Sequence, residues 1–227
     1  MPKNICLIPA RGGSKRIPKK NIASFHGKPM IAYTIEAAAR SGLFGKNIYV
    51  SSDSDEILKI AKKYGAQTIK RPANISGDKA GLETAVLHLL DAVGPGKFDN
   101  VCMLMPNCPL RNAADVKASY KEFVKSRASC LMSVVTYGWL YPFWTLQEKN
   151  GALKMFPDKK YFIDSKLLPQ DIYCPTGAVR WVRAKDFRKN KTFYGKDLAK
   201  YIIPFERSAD IDTYEDLALA KQLYKLS

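Results

Sequence analysis

Short, continuous apolar runs alternate with longer stretches whose apolar residues recur every three or four positions. Residues 4–9 (NICLIP) form one such run, which suits a strand covered on both faces, and Pro9 ends it. Met30, Tyr33, Ile35, Ala37 and Ala38 then lay a broad apolar stripe along a helix that Pro29 can start and Gly42 stops. Residues 48–51 read as the next strand, after which Ser52 or Asp53 can cap a helix carrying Ile57, Leu58, Ile60, Ala61 and Tyr64. A strand at 66–70, a helix at 81–93 and a strand at 101–105 continue the series. Asn112, followed by Asp115, opens a further helix in the manner of a capping box, and 130–135 follows as a strand. Strand and helix exchanging at this pace predict right-handed crossovers and an α/β fold on a mainly parallel sheet flanked by helices.

The pattern breaks over 137–175. There Trp139, Tyr141, Phe143, Trp144, Phe156, Tyr161 and Phe162 crowd among proline, glycine, lysine and asparagine. An aromatic-rich insertion of this kind reads as a lid, as an oligomerisation arm, or as packing beneath a long loop. Regular structure returns with a strand at 178–182, a short helix at 185–189, a strand at 201–203 and a last helix at 213–226. No repeat and no linker divides the chain, so 1–227 is expected to be one domain.

Composition narrows the classes. At 227 residues the chain can bury roughly 70% of its unfolded surface without covalent staples. No apolar run approaches the roughly 18 residues of a membrane span, and no secretory series opens the chain, so a cytoplasmic protein with no membrane role is expected. The five cysteines form no CxxC pair and His26 and His88 stand in no ligand spacing, which points to reduced, structural thiols and away from zinc. The formal charge of +16 steers anions of any kind, from nucleic acid to a nucleotide or an acidic sugar.

The chemistry concentrates in loops that follow strands, where a parallel sheet presents its ligands. After the first strand comes a loop with Arg11, Gly12, Gly13, Ser14, Lys15, Arg16, Lys19 and Lys20. Its glycines allow close backbone approach, Ser14 offers a hydroxyl, and Arg11, Lys15 and Lys20 can neutralise a triphosphate. Neither GxxxxGK[ST] nor GxGxxG is present. Arg71-Pro72, with Ser76 and Asp78, follows the third strand. The turn Met105-Pro106-Asn107-Cys108-Pro109-Leu110-Arg111 follows the fourth, its prolines holding a stiff shape suited to reading a base edge with Asn107. Near the end, Ala209-Asp210-Ile211-Asp212-Thr213 places alternating carboxylates on one side of an extended segment, a geometry that can hold Mg²⁺ with substrate phosphates. Asp212 with Glu215 equally fits a cap for the last helix.

Taken in order, IPARGGSKRIPKKN, the later RP, the PNCPLR turn and the terminal DIDT resemble the CMP-sialic acid synthetases and related cytidylyltransferases for nonulosonic acids. The resemblance covers nearly the whole chain, and PAR followed by GSK and KN separates this group from nucleotidyltransferases with an LAGG-type loop. It implies a Rossmann-like nucleotidyltransferase fold. It also implies attack of the anomeric hydroxyl of a 2-keto acid sugar on the α-phosphate of CTP, with Mg²⁺ required. On this resemblance Arg11, Lys15, Lys20 and Asp212 are catalytic. Ala10, Arg11, Gly12, Gly13, Ser14, Lys15, Lys20, Asn21, Arg71, Ser76, Asp78, Pro106 and Asn107 hold the nucleotide, and Asp210 and Asp212 bind the metal. Arg16 and Lys19 read as solvated flanks.

The chain departs from the family pattern on the expected sugar side. Where the family turn usually reads Q-P-T-S-P-L-R, Met105 replaces the glutamine and Asn107-Cys108 the Thr-Ser; Cys174 stands at an arginine position before Thr176-Gly177-Ala178, and Trp144 where a lysine can meet the sugar carboxylate. Met105, Trp144, Cys174 and Thr176 are therefore the sugar-side candidates. They suggest a legionaminic- or pseudaminic-type acceptor rather than N-acetylneuraminate, with Arg180, Arg183 or Lys166 as replacement cations. The resemblance also implies a homodimer built through the insertion. The competing readings are a nucleic-acid-binding protein using the basic surface and an inactive relative; no helix-turn-helix, RNP or zinc-finger pattern supports the former.

Overall fold

β1 (Asn4–Pro9) is buried along its whole length, the outcome for an apolar run without alternation when both faces of the sheet are covered. The computed structural model describes residues 2–77, 80–138, 140–156 and 158–226, so Asp78 and Trp139 lie outside the described residues. After the basic loop a minimal hairpin, β2 (Ser24–Phe25) and β3 (Lys28–Pro29), feeds α1 (Met30–Ser41). β4 (Ile48–Ser52), α2 (Asp55–Lys63), β5 (Gln67–Lys70) and α3 (Leu82–Val93) follow. Next come β6 (Asn100–Met103), α4 (Ala113–Ser126) and β7 (Cys130–Thr136). The insertion holds a second hairpin, β8 (Thr145–Lys149) and β9 (Ala152–Phe156). β10 (Tyr173–Arg183), α5 (Ala184–Asn190), β11 (Leu198–Ile202) and α6 (Tyr214–Leu223) complete the chain.

The seven-stranded sheet runs β11-β7-β10-β6-β1-β4-β5. It is parallel from β6 through β1 and β4 to β5, and again between β7 and β11, whereas β10 is antiparallel to both its neighbours. The entry end of β10 therefore lies at the edge where the parallel strands exit. One face of the sheet packs Cys6, Ile8 and Trp181 against Ile31 and Ile35 of α1 and Val116 and Phe123 of α4. The other packs Ile5, Leu7, Met103 and Val182 against α3 and Phe187 of α5. A third cluster, Ile17, Phe25, Met30, Leu110, Ile211 and Ala220, joins the basic loop, the first hairpin, the post-β6 turn and α6 beneath the strand exits.

Local boundaries differ from expectation for identifiable reasons. The cap of α2 is Ser54, because Ser52 Oγ accepts from the Ser54 amide at 3.0 Å and Asp53 accepts the Gly12 amide at 2.8 Å. The cap of α6 is Thr213 with Asp216 in a reciprocal capping box, one position beyond the Asp212/Glu215 pair read from sequence. The strand read at 178–182 extends back to Tyr173 through an irregularity between Pro175 and Arg180. Every residue of β8 and β9 is exposed. The five cysteines are free, four of them buried. No described helix is long and apolar enough to cross a membrane.

Candidate active site

A cleft of about 640 Å³ opens at the strand exits, lined by the basic loop, the segment after β5, the turn after β6 and Asp212. The loop is fixed before any ligand arrives. Asn21, buried, donates Nδ2 to the Arg11 carbonyl at 2.9 Å, and Ile17 is anchored in the third cluster. A Cβ on Gly12 would stand 3.0 Å from Ser54 Cβ, so the glycine lets the loop press against the start of α2 while its amide is held by Asp53. Gly13 is exposed with open space around it. Ala10 is fully buried, donating to Ser51, and so supports the loop from beneath.

The cations of the loop divide by position. Arg11, Ser14, Lys15, Arg16 and Lys20 line the cleft. Lys20 Nζ lies 2.5 Å from Asp212 Oδ1, and Arg16 Nη2 lies 2.5 Å from Asp212 Oδ2. Arg16 is solvated as read from sequence, its side chain 63% exposed, but it also lines the cleft and pairs with Asp212. Lys19 does lie off the cleft lining, paired with Glu56 at 2.7 Å. Arg71 lines the cleft too, but its buried guanidinium is committed to Ser51: Nε donates to Oγ at 3.1 Å and Nη2 to the carbonyl at 2.7 Å. Burial pulls its pKa down, against the opposing pull of Asp53.

Ile211 is fully buried in the third cluster, which leaves Asp210 and Asp212 facing Asn107. Asn107 Nδ2 donates to Asp210 Oδ1, to the Ile211 carbonyl at 3.1 Å and, at 3.5 Å, to Asp212 Oδ1. The Ile211 amide returns a bond to the Asn107 carbonyl at 2.9 Å. Asp210 keeps an open face to solvent, yet the protein packed behind it and then the charge of Asp212 push its carboxyl up, with Lys20 and Arg180 opposing. For Asp212 burial also pushes upward, but the Lys20 and Arg16 partners outweigh it and hold the carboxyl below the usual range. Among the described residues no cluster of three or more histidine, cysteine or acidic side chains forms an all-protein metal cage.

The sugar-side candidates separate. Met105 lines the cleft. Thr176 is buried against Ser133, its Oγ1 2.7 Å from Ser133 Oγ, and Cys174 is half-buried on β10 opposite Val135. Trp144 is exposed in the insertion and donates Nε1 to the Ile163 carbonyl at 3.1 Å; none of these three lines the cleft. Of the proposed replacement cations, Arg183 donates to the Ala128 carbonyl at the opposite edge of the sheet, and Lys166 is exposed in the insertion. Arg180 is near enough to influence Asp210. Ser76 and Pro106 line the cleft as expected, joined by Gly77, Ala80, Gly81 and Leu82 at the start of α3, which the sequence reading treated only as a helix boundary.

Gly177 was also missed. A Cβ there would lie 2.9 Å from Asp210 Oδ2, 3.1 Å from Met105 Cγ and 3.2 Å from Cys108 Sγ. The Met105 amide donates to its carbonyl at 3.3 Å. The irregularity in β10 therefore brings bare backbone against Asp210, a role that the Thr-Gly-Ala spelling alone signals as a bulge. Arg111, at the end of the same turn, is fully buried and holds it in place through Nε to the Ala178 carbonyl at 2.9 Å and Nη2 to Thr34 Oγ1 at 2.9 Å and the Met105 carbonyl at 3.1 Å.

A family model described as Cytidylyltransferase matches residues 5–93, the part that carries the basic loop, Arg71 and the start of α3. The chain is 36% identical over 228 residues to the pseudaminic acid cytidylyltransferase of Campylobacter jejuni, covering 99% of this chain and 97% of that protein. It is 31% identical over 231 residues to the CMP-N,N'-diacetyllegionaminic acid synthase of Legionella pneumophila, covering 98% and 97%. Among solved structures, a CMP:2-keto-3-deoxy-manno-octonic acid synthetase complexed with CTP superposes with a TM-score of 0.72 over 99% of each chain at 15% identity, a likeness of fold.

Proposed function

The chain belongs to the cytidylyltransferase family, and from that premise we propose that it activates a nonulosonic, sialic-acid-like 2-keto acid sugar with CTP, giving the CMP-sugar and pyrophosphate. The observation that carries this reading is one cleft in which Lys20 and Arg16 of the basic loop meet the Asp212 carboxylate. Transfer to the α-phosphate adds negative charge between the attacking and leaving oxygens, and cations fixed where that charge develops lower the barrier. Arg11, Lys15 and Lys20 serve that charge, with Ser14 and Asn21 shaping the loop that bears them. Lys20 and Arg16 neutralise Asp212 until the triphosphate competes for them.

The donor set at Asp210 and Asp212 fits a hard divalent cation: two carboxylates joined through Asn107, all oxygen, with Asp212 lining the cleft, Asp210 exposed outside its lining, and room in the cleft for substrate phosphates to complete the shell. Bound there, Mg²⁺ would spread phosphate charge and raise the acidity of the acceptor hydroxyl. Asp212, ionised beside Lys20, orients that hydroxyl.

For the acceptor we favour a pseudaminic- or legionaminic-type acid. Met105 puts a thioether on the cleft wall, and the relatives named above act on such acids. The exposed β8–β9 hairpin, with Leu146, Leu153, Met155 and Phe156 all well exposed, supports a homodimer in which a second copy covers it.

The deciding experiment measures pyrophosphate release with Mg²⁺, each of the four common ribonucleoside triphosphates and a panel of nonulosonic and octulosonic acids. Turnover is expected with CTP and a pseudaminic- or legionaminic-type acid. No turnover with any pair would overturn the reading, and salt-sensitive nucleic-acid binding in its place would favour the binding-protein alternative.

A further inference from the structure

We propose that Asn107 is a positioning residue for the Asp210 and Asp212 pair, and that its side-chain oxygen receives a hydrogen-bond donor of the acceptor sugar and not of the cytosine ring. The inference rests on the reaction proposed above. It moves Asn107 from the base end of the cleft to the reacting end.

The orientation of the amide follows from its neighbours. Asp210 Oδ1, the Ile211 carbonyl and Asp212 Oδ1 are all acceptors, so the branch facing them must be the NH₂ group. Oδ1 therefore points the other way. There it is buried with no partner among the described residues, although Asn107 itself lines the cleft and is 6% exposed. A buried carbonyl without a donor is costly, so water or a ligand supplies the partner, and of the orphaned oxygens Asn107 Oδ1 belongs to a residue that lines the cleft, where a ligand can reach it.

Covalent geometry then says where that donor sits. Because the two branches share one carbon, a group bonded to Oδ1 sits within a few ångströms of the carboxylates although it faces away from them, the distance at which an acceptor oriented by Asp212 would stand. Arg71, by contrast, is fastened to β4, on the far side of β1 from the turn that follows β6. In this chain asparagine suits both tasks. Aspartate would add a third negative charge to the pair, and serine could not reach both Asp210 and the Ile211 carbonyl while leaving a second oxygen free.

The test combines Asn107→Ala with binding measurements that need no turnover. With the melting temperature showing a folded variant, CTP affinity without acceptor is expected to stay within about twofold of wild type. Mn²⁺ affinity in the presence of CTP, read by electron paramagnetic resonance, is expected to weaken about tenfold, as when a group holding a metal ligand is removed. In turnover the acceptor KM is expected to rise about tenfold while the CTP KM holds. The proposal is overturned if CTP affinity drops tenfold, or UTP begins to compete with CTP, while Mn²⁺ affinity and acceptor KM are unchanged.

Should the alanine variant not fold, the wild type decides. Its assigned Asn107 side-chain amide resonances should shift when pseudaminic or legionaminic acid joins the CTP complex; a shift on CTP alone with none on adding the acid overturns the proposal. An absence of pyrophosphate release from the wild type would instead overturn the reaction, leaving Mn²⁺ and CTP affinities to decide whether Asn107 serves the carboxylates or the base.

Discussion

Arg16 and Lys19 belong to one basic loop, yet their partners give them different work. Arg16 reaches Asp212 inside the cleft, and Lys19 turns outward to Glu56. Lys20, with only 15% of its side chain exposed, shares Asp212 from the protected side. A charge acts more strongly the less water surrounds it. The rate of pyrophosphate release should therefore fall about a hundredfold in Lys20→Ala; Arg16 and Lys19, 63% and 67% exposed, differ by partner and place, so the loss should be about tenfold in Arg16→Ala, which meets Asp212, and less than about twofold in Lys19→Ala. Equal losses at Arg16 and Lys19 would mean that the loop acts through its net charge alone. The composition of this loop, and its place after the first strand, were plain from the sequence. Which cation turns inward was not, because Asp212 lies far away along the chain and the folded third cluster and the ion pairs themselves bring the two segments together.

At the scale of elements, the start of α6 shows what a shift of one position can decide. With Thr213 and Asp216 forming the cap, Asp212 keeps its side chain for the cleft, and Asp216 Oδ2 also accepts the Asp212 amide at 2.9 Å. Burial is the largest single influence and pushes the Asp216 carboxyl up, but the hydrogen bonds from the Asp212 and Thr213 amides together outweigh it and leave the pKa lowered. A lowered folded-state pKa means that ionised Asp216 stabilises the fold at all pH values above the ordinary aspartate range. That contribution drains away as pH falls below the range toward the folded-state value. Asp216→Ala should cost roughly 1 kcal/mol at neutral pH, seen in denaturant or thermal melts, and the gap from wild type should close on acidification. A gap that stayed constant down to acid pH would remove the charge from the account.

The order of the helices and of the central sheet's strands was readable because each carries its own periodicity, whereas the two small hairpins β2–β3 and β8–β9 were not read; the Asn112/Asp115 capping box was found where the sequence placed it. Strand direction was not readable. Nothing in Ala178, Val179 or Trp181 says that β10 runs against β6 and β7, since both directions bury the same residues. The lining of the cleft was legible where motif and loop coincide, as at Lys20 and Pro106. It was hidden where backbone performs the task, as at Gly177, or where a motif residue is spent on structure, as with the guanidinium of Arg111.

At the scale of the molecule, the exposed hairpin predicts an association. Light scattering at micromolar concentration should give the mass of two chains, and substituting Leu146 and Leu153 with glutamate should shift it toward one; a wild-type monomer would count against the dimer. The path into and out of the insertion adds a consequence of another kind. Thr136, where β7 ends, pairs directly with Tyr173, where β10 begins, so the excursion leaves and returns through a single clasp. The basic loop and Asp212 lie outside it. Such a clasp lets the enclosed segment be lengthened, shortened or exchanged in descent without disturbing the machinery that handles the nucleotide.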